Sequence, residues 1–389
     1  MLRPRSLLSS CLTRDLVGVV EPCYMLTTTA FQLLMLDHRG FGLSTTLTAT
    51  TITHERNPSE QASHLAHFRA PSAVQDLEAI RLCLTADYAD DEKKWSIIGQ
   101  SYGGFVCLTY LSHYPQGLRE AFTLGGLAPV TQRKPDEPVK RAMQRVLERN
   151  RKYYSKFPED RDRVKNVVRH LQSKNGIDLA TGGKLTAGRF LEMGIVFGFH
   201  GGFDQVHGIV LRMQNDLDLF GYLTRATLST VAGMGSFDDH VVYALLHGAC
   251  YCQGSAPEWA FDRLIQQFPQ YRIDAGADEV PFTGEMVFKR AFEDYDELRS
   301  LAPVAELLEN KQDWPELYDI EQLKRNEVPL YAATFVDDMY VDFGFAQETA
   351  SLVKGCKHFI TNALYHDAVR SKSDEVLKGL FALRDDTID

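Results

Sequence analysis

The hydrophobic pattern changes period several times along the chain, and each change marks an element. Phe31-Gln32-Leu33-Leu34-Met35-Leu36 is apolar enough to be a central parallel strand. It runs into Asp37-His38-Arg39-Gly40-Phe41-Gly42-Leu43-Ser44, whose glycines and serine predict a tight loop at the carboxyl edge, where open α/β sheets place their sites. Thr45 to about Ala70 is polar without a sustained period and reads as a loop. Between Ser72 and Thr85, Val74, Leu77, Ile80 and Leu84 fall on one helical face. An acidic turn at Asp87 to Glu92 leads to the apolar run Trp95-Ser96-Ile97-Ile98, which breaks into Gly99-Gln100-Ser101-Tyr102-Gly103-Gly104-Phe105. Beyond it Phe105, Val106, Leu108 and Leu111 recur at helical spacing until Pro115 stops them, and Ala121 to Gly125 reads as the next strand. Strand, helix, strand, helix in alternation predicts an α/β fold with a mainly parallel sheet.

From Pro135 to about Asp319 that alternation stops. Val139 to Leu171 is a long charged helical stretch, read as a solvated face, and helical patterns recur near Val206 to Leu219, Asp238 to Cys250 and Glu258 to Phe268, with no alternating strands. The expected organisation is an α/β core of residues 1–131 and 327–389, with residues 132–326 inserted as a helical cap. The core resumes at Val328 to Phe335, which runs into Val336-Asp337-Asp338-Met339, and a last strand from Lys357 to Thr361 leads to Tyr365-His366-Asp367. A closing helix follows, with Ser373 as expected N-cap, Asp374 and Glu375 in its first turn, and Val376, Leu377, Leu380 and Phe381 as its buried stripe.

Residues 1–30 are poorly patterned. Their first fourteen carry Arg3, Arg5 and Arg14 and no acid, which reads either as a faint transit-peptide pattern or as a frayed terminus. The chain has 389 residues and a net charge of −10, which argues against nucleic acid or an anionic membrane as partner. No apolar run reaches the ~18 residues of a membrane span. Seven cysteines are an odd number for a disulfide framework; Cys83 and Cys107 fall in apolar helical patterns and read as buried free thiols. A reducing, cytoplasmic compartment fits best.

The chemistry centres on Gly99-Gln100-Ser101-Tyr102-Gly103, a Gly-x-Ser-x-Gly motif after a strand and before a helix. That context is a nucleophile elbow, in which the serine is held strained with its hydroxyl exposed above the sheet. Such a serine needs an imidazole to take its proton and a carboxylate to orient the imidazole. In the expected order Ser, Asp, His, Ser101 is followed by the pair Asp337-Asp338 after the penultimate strand and by His366 after the last. Only one of the adjacent aspartates can face the ring, and Asp338 is preferred. Of twelve histidines, His38 and His247 read as structural. His64-x-x-His67 lacks a third ligand, and Cys250-x-Cys252 lacks a second pair, so neither a metal nor any other cofactor is expected.

Four segments resemble the large type of prolyl aminopeptidase, or proline iminopeptidase, of bacteria and fungi. They are Leu36 to Ser44, Gly99 to Phe105, Val280-Pro281-Phe282-Thr283-Gly284-Glu285-Met286, and Asp337-Asp338-Met339-Tyr340-Val341-Asp342. The resemblance runs from about residue 31 to the C-terminus. It implies an α/β-hydrolase core with a helical cap, and release of N-terminal proline from peptides through an acyl-enzyme. In that reading Ser101 is the nucleophile, His366 the general base and Asp338 its partner. Tyr102 would donate its backbone N–H to the oxyanion. Glu285 is the candidate carboxylate for the free α-amine of a peptide or small-molecule substrate.

Two departures motivate other readings. The family's glycine-rich loop, which supplies a second oxyanion donor, has no counterpart before Phe31, and Val17 to Met25 shows no paired glycines. In Leu245-Leu246-His247-Gly248-Ala249-Cys250-Tyr251 the family carries Glu where this chain has Gly248. The alternatives are a catalytically impaired or silent relative acting as a binding protein, and an esterase or amidase for small acyl substrates.

Overall fold

The computed structural model describes residues 5–10, 31–54, 56–234 and 237–386. Six parallel strands form the central sheet: β1 (Arg5–Ser10), β2 (Phe31–Leu36), β3 (Trp95–Gln100), β4 (Leu118–Leu124), β7 (Leu330–Phe335) and β8 (Cys356–Thr361). Their order is β2-β1-β3-β4-β7-β8. From β1 the chain steps outward to β2, and from β3 it steps outward the other way, so the order reverses between β1 and β3. An open α/β sheet forms its binding crevice at such a reversal, outside the carboxyl ends of the strands.

Both faces of the sheet are covered. Helices Ala70–Leu84 and Tyr102–His113 bury Val74, Leu77, Leu108 and Leu111 with Ile97 and Ala121 on one face. The closing helix Ser373–Asp385 packs Val376, Leu377 and Leu380 against Ile98, Phe122 and Tyr331 on the other. With covers on both sides, β7 is buried along its whole length, as its continuous apolar run predicts.

Between β4 and β7 the chain is mainly helical. The long charged stretch is two helices, Asp136–Lys156 and Asp160–Ser173, because Pro158 cannot continue the first. Each has a buried apolar side: Val139, Met143, Val146 and Tyr153 from one, Val164, Val167, Val168 and Leu171 from the other, all in one cluster. Only their outer faces are solvated. A small antiparallel hairpin, β5 (Ile177–Asp178) with β6 (Lys184–Leu185), interrupts the helices where no strand was expected.

Four further expectations change. Arg5–Ser10, in the unpatterned N-terminus, is an interior strand that pairs with both β2 and β3. The Thr45–Ala70 loop contains helices Ala49–Thr53 and Pro58–Leu65, the second capped by Asn57 with Glu60 reaching back in a capping box. In the helix Ala70–Leu84 the buried stripe ends at Arg81, paired with Glu78, which also accepts from the Tyr110 hydroxyl at 2.6 Å; Leu84 is 55% exposed and Cys83 is exposed. The N-cap of the closing helix is Lys372, without a side-chain cap bond, and Ser373 is its first residue.

Candidate active site

Ser101 stands between β3 and the helix Tyr102–His113 with φ 55° and ψ −124°, a left-handed conformation that costs a non-glycine residue of order 1–3 kcal/mol. Close packing enforces it. A Cβ on Gly99 would lie 2.1 Å from the Gly103 carbonyl oxygen, and one on Gly104 would lie 2.4 Å from that of Gly126. The Ser101 N–H donates to the Leu124 carbonyl at 2.9 Å. Tyr102 opens the helix, so its N–H is one of the four first-turn donors without an intrahelical partner, at the positive end of the helix dipole.

Three side chains from three loops meet above this turn. His366 Nε2 lies 2.9 Å from Ser101 Oγ, and His366 Nδ1 lies 2.8 Å from Asp338 Oδ2. The other oxygen of Asp338 accepts the backbone N–H groups of Tyr340 at 2.8 Å and Val341 at 3.1 Å. Asp338 is buried, 2% exposed, whereas its neighbour Asp337 turns outward to Lys152 at 3.2 Å and Arg145 at 3.7 Å. The imidazole rests 4.4 Å from the Tyr340 ring, and its own carbonyl accepts the Gln100 side-chain amide at 3.1 Å.

Burial lowers the proton affinity of His366, but the charge and hydrogen bond of Asp338, helped by Glu285, outweigh it and leave its pKa above the ordinary 6.5. A base must be neutral to accept a proton, so kcat/KM is expected to fall as pH drops through a value above 6.5. Stability runs the opposite way. The extra stability of protonated His366 is fully present below its unfolded pKa and is lost as pH rises through the raised one. A pH–rate profile checks this, and an acid limb at or below 6.5 contradicts it.

The serine opens into a cavity of about 490 Å³ between the sheet edge and the mainly helical segment that links β4 to β7. Phe105, Val196, Phe199, Phe237, Val242 and Tyr340 supply much of its apolar wall. Among the described residues lining it, Glu285 is the sole carboxylate. Glu285 Oε1 accepts the Tyr243 hydroxyl at 2.7 Å, and Oε2 lies 3.8 Å from His247 Nε2, an ion-pair distance rather than a hydrogen bond. Burial pushes the Glu285 carboxyl up; His247, the Tyr243 hydroxyl and His366 more than offset this and hold it below its ordinary range. His247 therefore faces the cavity and is not a self-satisfied interior histidine. A side chain at Gly248 would instead meet Pro257 at 2.8 Å and Glu309 at 3.2 Å, and Gly248 is not part of the cavity wall.

Residues 195–200 lie directly against these loops. The Tyr340 hydroxyl donates to the Ile195 carbonyl, while Arg149, from the helix Asp136–Lys156 and not from these loops, holds the Phe197 carbonyl at 2.7 and 2.9 Å. The His366 N–H reaches the Gly198 carbonyl at 3.3 Å. Asp367 Oδ1 holds His200 through its backbone N–H at 3.0 Å and its Nδ1 at 2.7 Å. A Cβ on Gly198 would lie 2.3 Å from the Tyr340 ring, so the approach requires glycine. No local pattern marks His200 or Gln100 for these roles, because each acts on a residue more than 160 positions away.

Other candidates fall outside the cavity or change role. His64 lies in the helix Pro58–Leu65 with its ring 5.0 Å from Phe68, and neither it nor His67 joins a ligand cluster among the described residues. Glu159, Asp160 and His207 do approach one another, but Asp160 already binds Tyr153, His207 and Arg163, and that last cation leaves little for a metal. Cys250 and Cys252 are free thiols, the latter pushed up to about 12 by burial. His38 lines the cavity with its ring buried and neutral, its pKa lowered to about 4 by desolvation. The Val17–Met25 segment lies outside the described residues. No described helix is long and apolar enough to cross a membrane.

A family model described as the alpha/beta hydrolase fold matches residues 22–179. Two curated relatives align with most of the chain. Proline iminopeptidase aneH of Aspergillus aculeatus is 42% identical over 359 residues, 92% of this chain and 79% of that protein. The proline iminopeptidase of Aeromonas sobria is 38% identical over 356 residues, 92% of this chain and 81% of that protein.

Proposed function

We propose that this chain, which belongs to the proline iminopeptidase family of α/β hydrolases, is a serine aminopeptidase that releases N-terminal proline from peptides through an acyl-enzyme. The observation that carries this reading is a hydrogen-bonded Ser101–His366–Asp338 array opening into a largely apolar cavity whose one described carboxylate is Glu285. Ser101 Oγ attacks the prolyl carbonyl carbon as His366 Nε2 takes its proton, and Asp338 stabilises the imidazolium. The Tyr102 N–H donates a hydrogen bond to the developing oxyanion. His366 then returns the proton to the departing amine, and a water, deprotonated in turn by His366, releases proline from Ser101. Glu285 pairs with the ammonium of the substrate, while the apolar wall packs the pyrrolidine ring. In this reading residues 1–131 and 327–389 form the hydrolase core, and residues 132–326 form the cap that carries Glu285.

A proline arylamide should be hydrolysed and its N-acetylated counterpart refused. Glu285→Gln should shrink that preference by about ten- to hundred-fold, the worth of a charged hydrogen bond. Comparable turnover of both arylamides by the wild-type protein would remove amine recognition and favour the esterase or amidase reading.

A further inference from the structure

Arg69, just ahead of the helix Ala70–Leu84, lines the same cavity and is only 3% exposed. Buried guanidinium groups are ordinarily matched by a carboxylate, because an uncompensated buried charge is costly. Among the described residues Arg69 has no ion pair. Its Nη2 donates to the Cys252 carbonyl, its Nη1 makes a long 3.4 Å contact with the Pro315 carbonyl, and its carbon centre lies 4.6 Å from the Trp314 ring. Its Nε is buried with no partner at all. The other cations of the wall differ. Arg39 is paired with Asp76 at 2.6 and 2.7 Å, and Arg370 is partly exposed, 5.7 Å from the Phe199 ring. His38 adds a second orphan, with both ring nitrogens buried and unpartnered. It comes from an abutting segment, since Arg39 donates to the His67 carbonyl at 3.0 Å.

One cavity thus carries a carboxylate on its cap side, Glu285, and an unmatched guanidinium on its core side, Arg69, and no ion pair joins them among the described residues. Two separated opposite charges suit a zwitterion. We propose that Arg69 binds the free C-terminal carboxylate of a short substrate, so that the enzyme is selective for proline-led dipeptides over longer or amidated chains. This rests on the aminopeptidase reading, with Glu285 at the amine. Each Nη group carries two N–H donors and spends one on the Cys252 or Pro315 carbonyl, which leaves planar donors of the kind a carboxylate accepts. Desolvation already lowers the pKa of Arg69, so a bound anion would relieve a standing cost rather than disturb a satisfied group.

The test compares three substrates on the wild-type protein: a proline arylamide, the dipeptide prolylglycine as free acid, and the same dipeptide amidated at its C-terminus. The free acid should exceed the amide in kcat/KM by about ten- to hundred-fold. Arg69→Met should erase that ratio while changing arylamide turnover by less than about threefold, and Arg69→Lys should restore part of it. Equal wild-type rates on acid and amide overturn the proposal, whatever the variants do. So does a preference that survives Arg69→Met, or one that Arg370→Met abolishes instead. Should none of the three substrates turn over, the aminopeptidase reading fails first and this proposal falls with it.

Discussion

Ser101→Ala should reduce turnover of a proline arylamide by roughly 10⁶-fold with little change in KM, the scale expected when a serine nucleophile is removed from an intact triad. The geometry makes this loss hard to compensate. Ser101 alone occupies the strained turn, its hydroxyl is 2.9 Å from His366 Nε2, and no other hydroxyl is bonded to that nitrogen among the described residues. Alanine removes only the oxygen, so the fold should survive, and relief of crowding could leave Tm unchanged or slightly raised. A fluorophosphonate probe gives a second readout, because it should label the wild-type protein stoichiometrically and the variant not at all. Labelling of the variant at another residue would remove Ser101 from the nucleophile's role. Failure to label the wild-type protein would support the silent relative instead.

Asp338→Asn should cost about 10⁴-fold in kcat, with the neighbouring Asp337→Asn as its control. An amide at position 338 can still accept the Tyr340 and Val341 N–H groups, so the loop should hold its shape. What it loses is the negative charge that fixes the His366 tautomer and supports the imidazolium. The acid limb of the rate profile should therefore move to lower pH as the base loses the carboxylate that raises its pKa. Asp337 is 26% exposed on its side chain and touches Lys152 and Arg145 near the surface, where such pairs are worth ~0–1 kcal/mol. Its asparagine variant should stay within about threefold of wild type in rate. Equal losses from both substitutions would show that the loop, and not the single charge, is what matters.

These two residues also show how far local sequence carries an active site. The aspartates are identical in type and adjacent, and alternation alone says only that they point apart. The buried one is selected by the groups that meet its carboxylate: the His366 ring on one oxygen and the Met339-Tyr340-Val341 turn, which supplies two N–H donors, on the other. Arg5–Ser10 is the reverse case. Arg-Ser-Leu-Leu-Ser-Ser has neither a long apolar run nor clean alternation, so nothing local marks it as a strand. It is one because β2 and β3 each present it with a row of backbone partners. Arg81 makes the same point at a helix face, where Leu84 fits the apolar period better but a guanidinium paired with Glu78 takes the interior.

The amino-acid sequence alone determined the α/β class, the elbow around Ser101, the chain order Ser, Asp, His, and the candidate amine ligand Glu285. The first three rest on short-range physics: hydrophobic period, glycine sterics, and the loops that follow buried strands; Glu285 rests instead on the resemblance of the Val280-to-Met286 segment to the aminopeptidase family. Tertiary structure decided that the preferred Asp338 does face the imidazole, that residues 195–200 lie against the His366 loop, that Gly248 lies off the cavity wall, and that Arg69 is buried there with no counter-charge among the described residues. Each depends on a contact between segments far apart in the chain. Desolvation and charge pairing are properties of the space those segments enclose, and no single segment carries them.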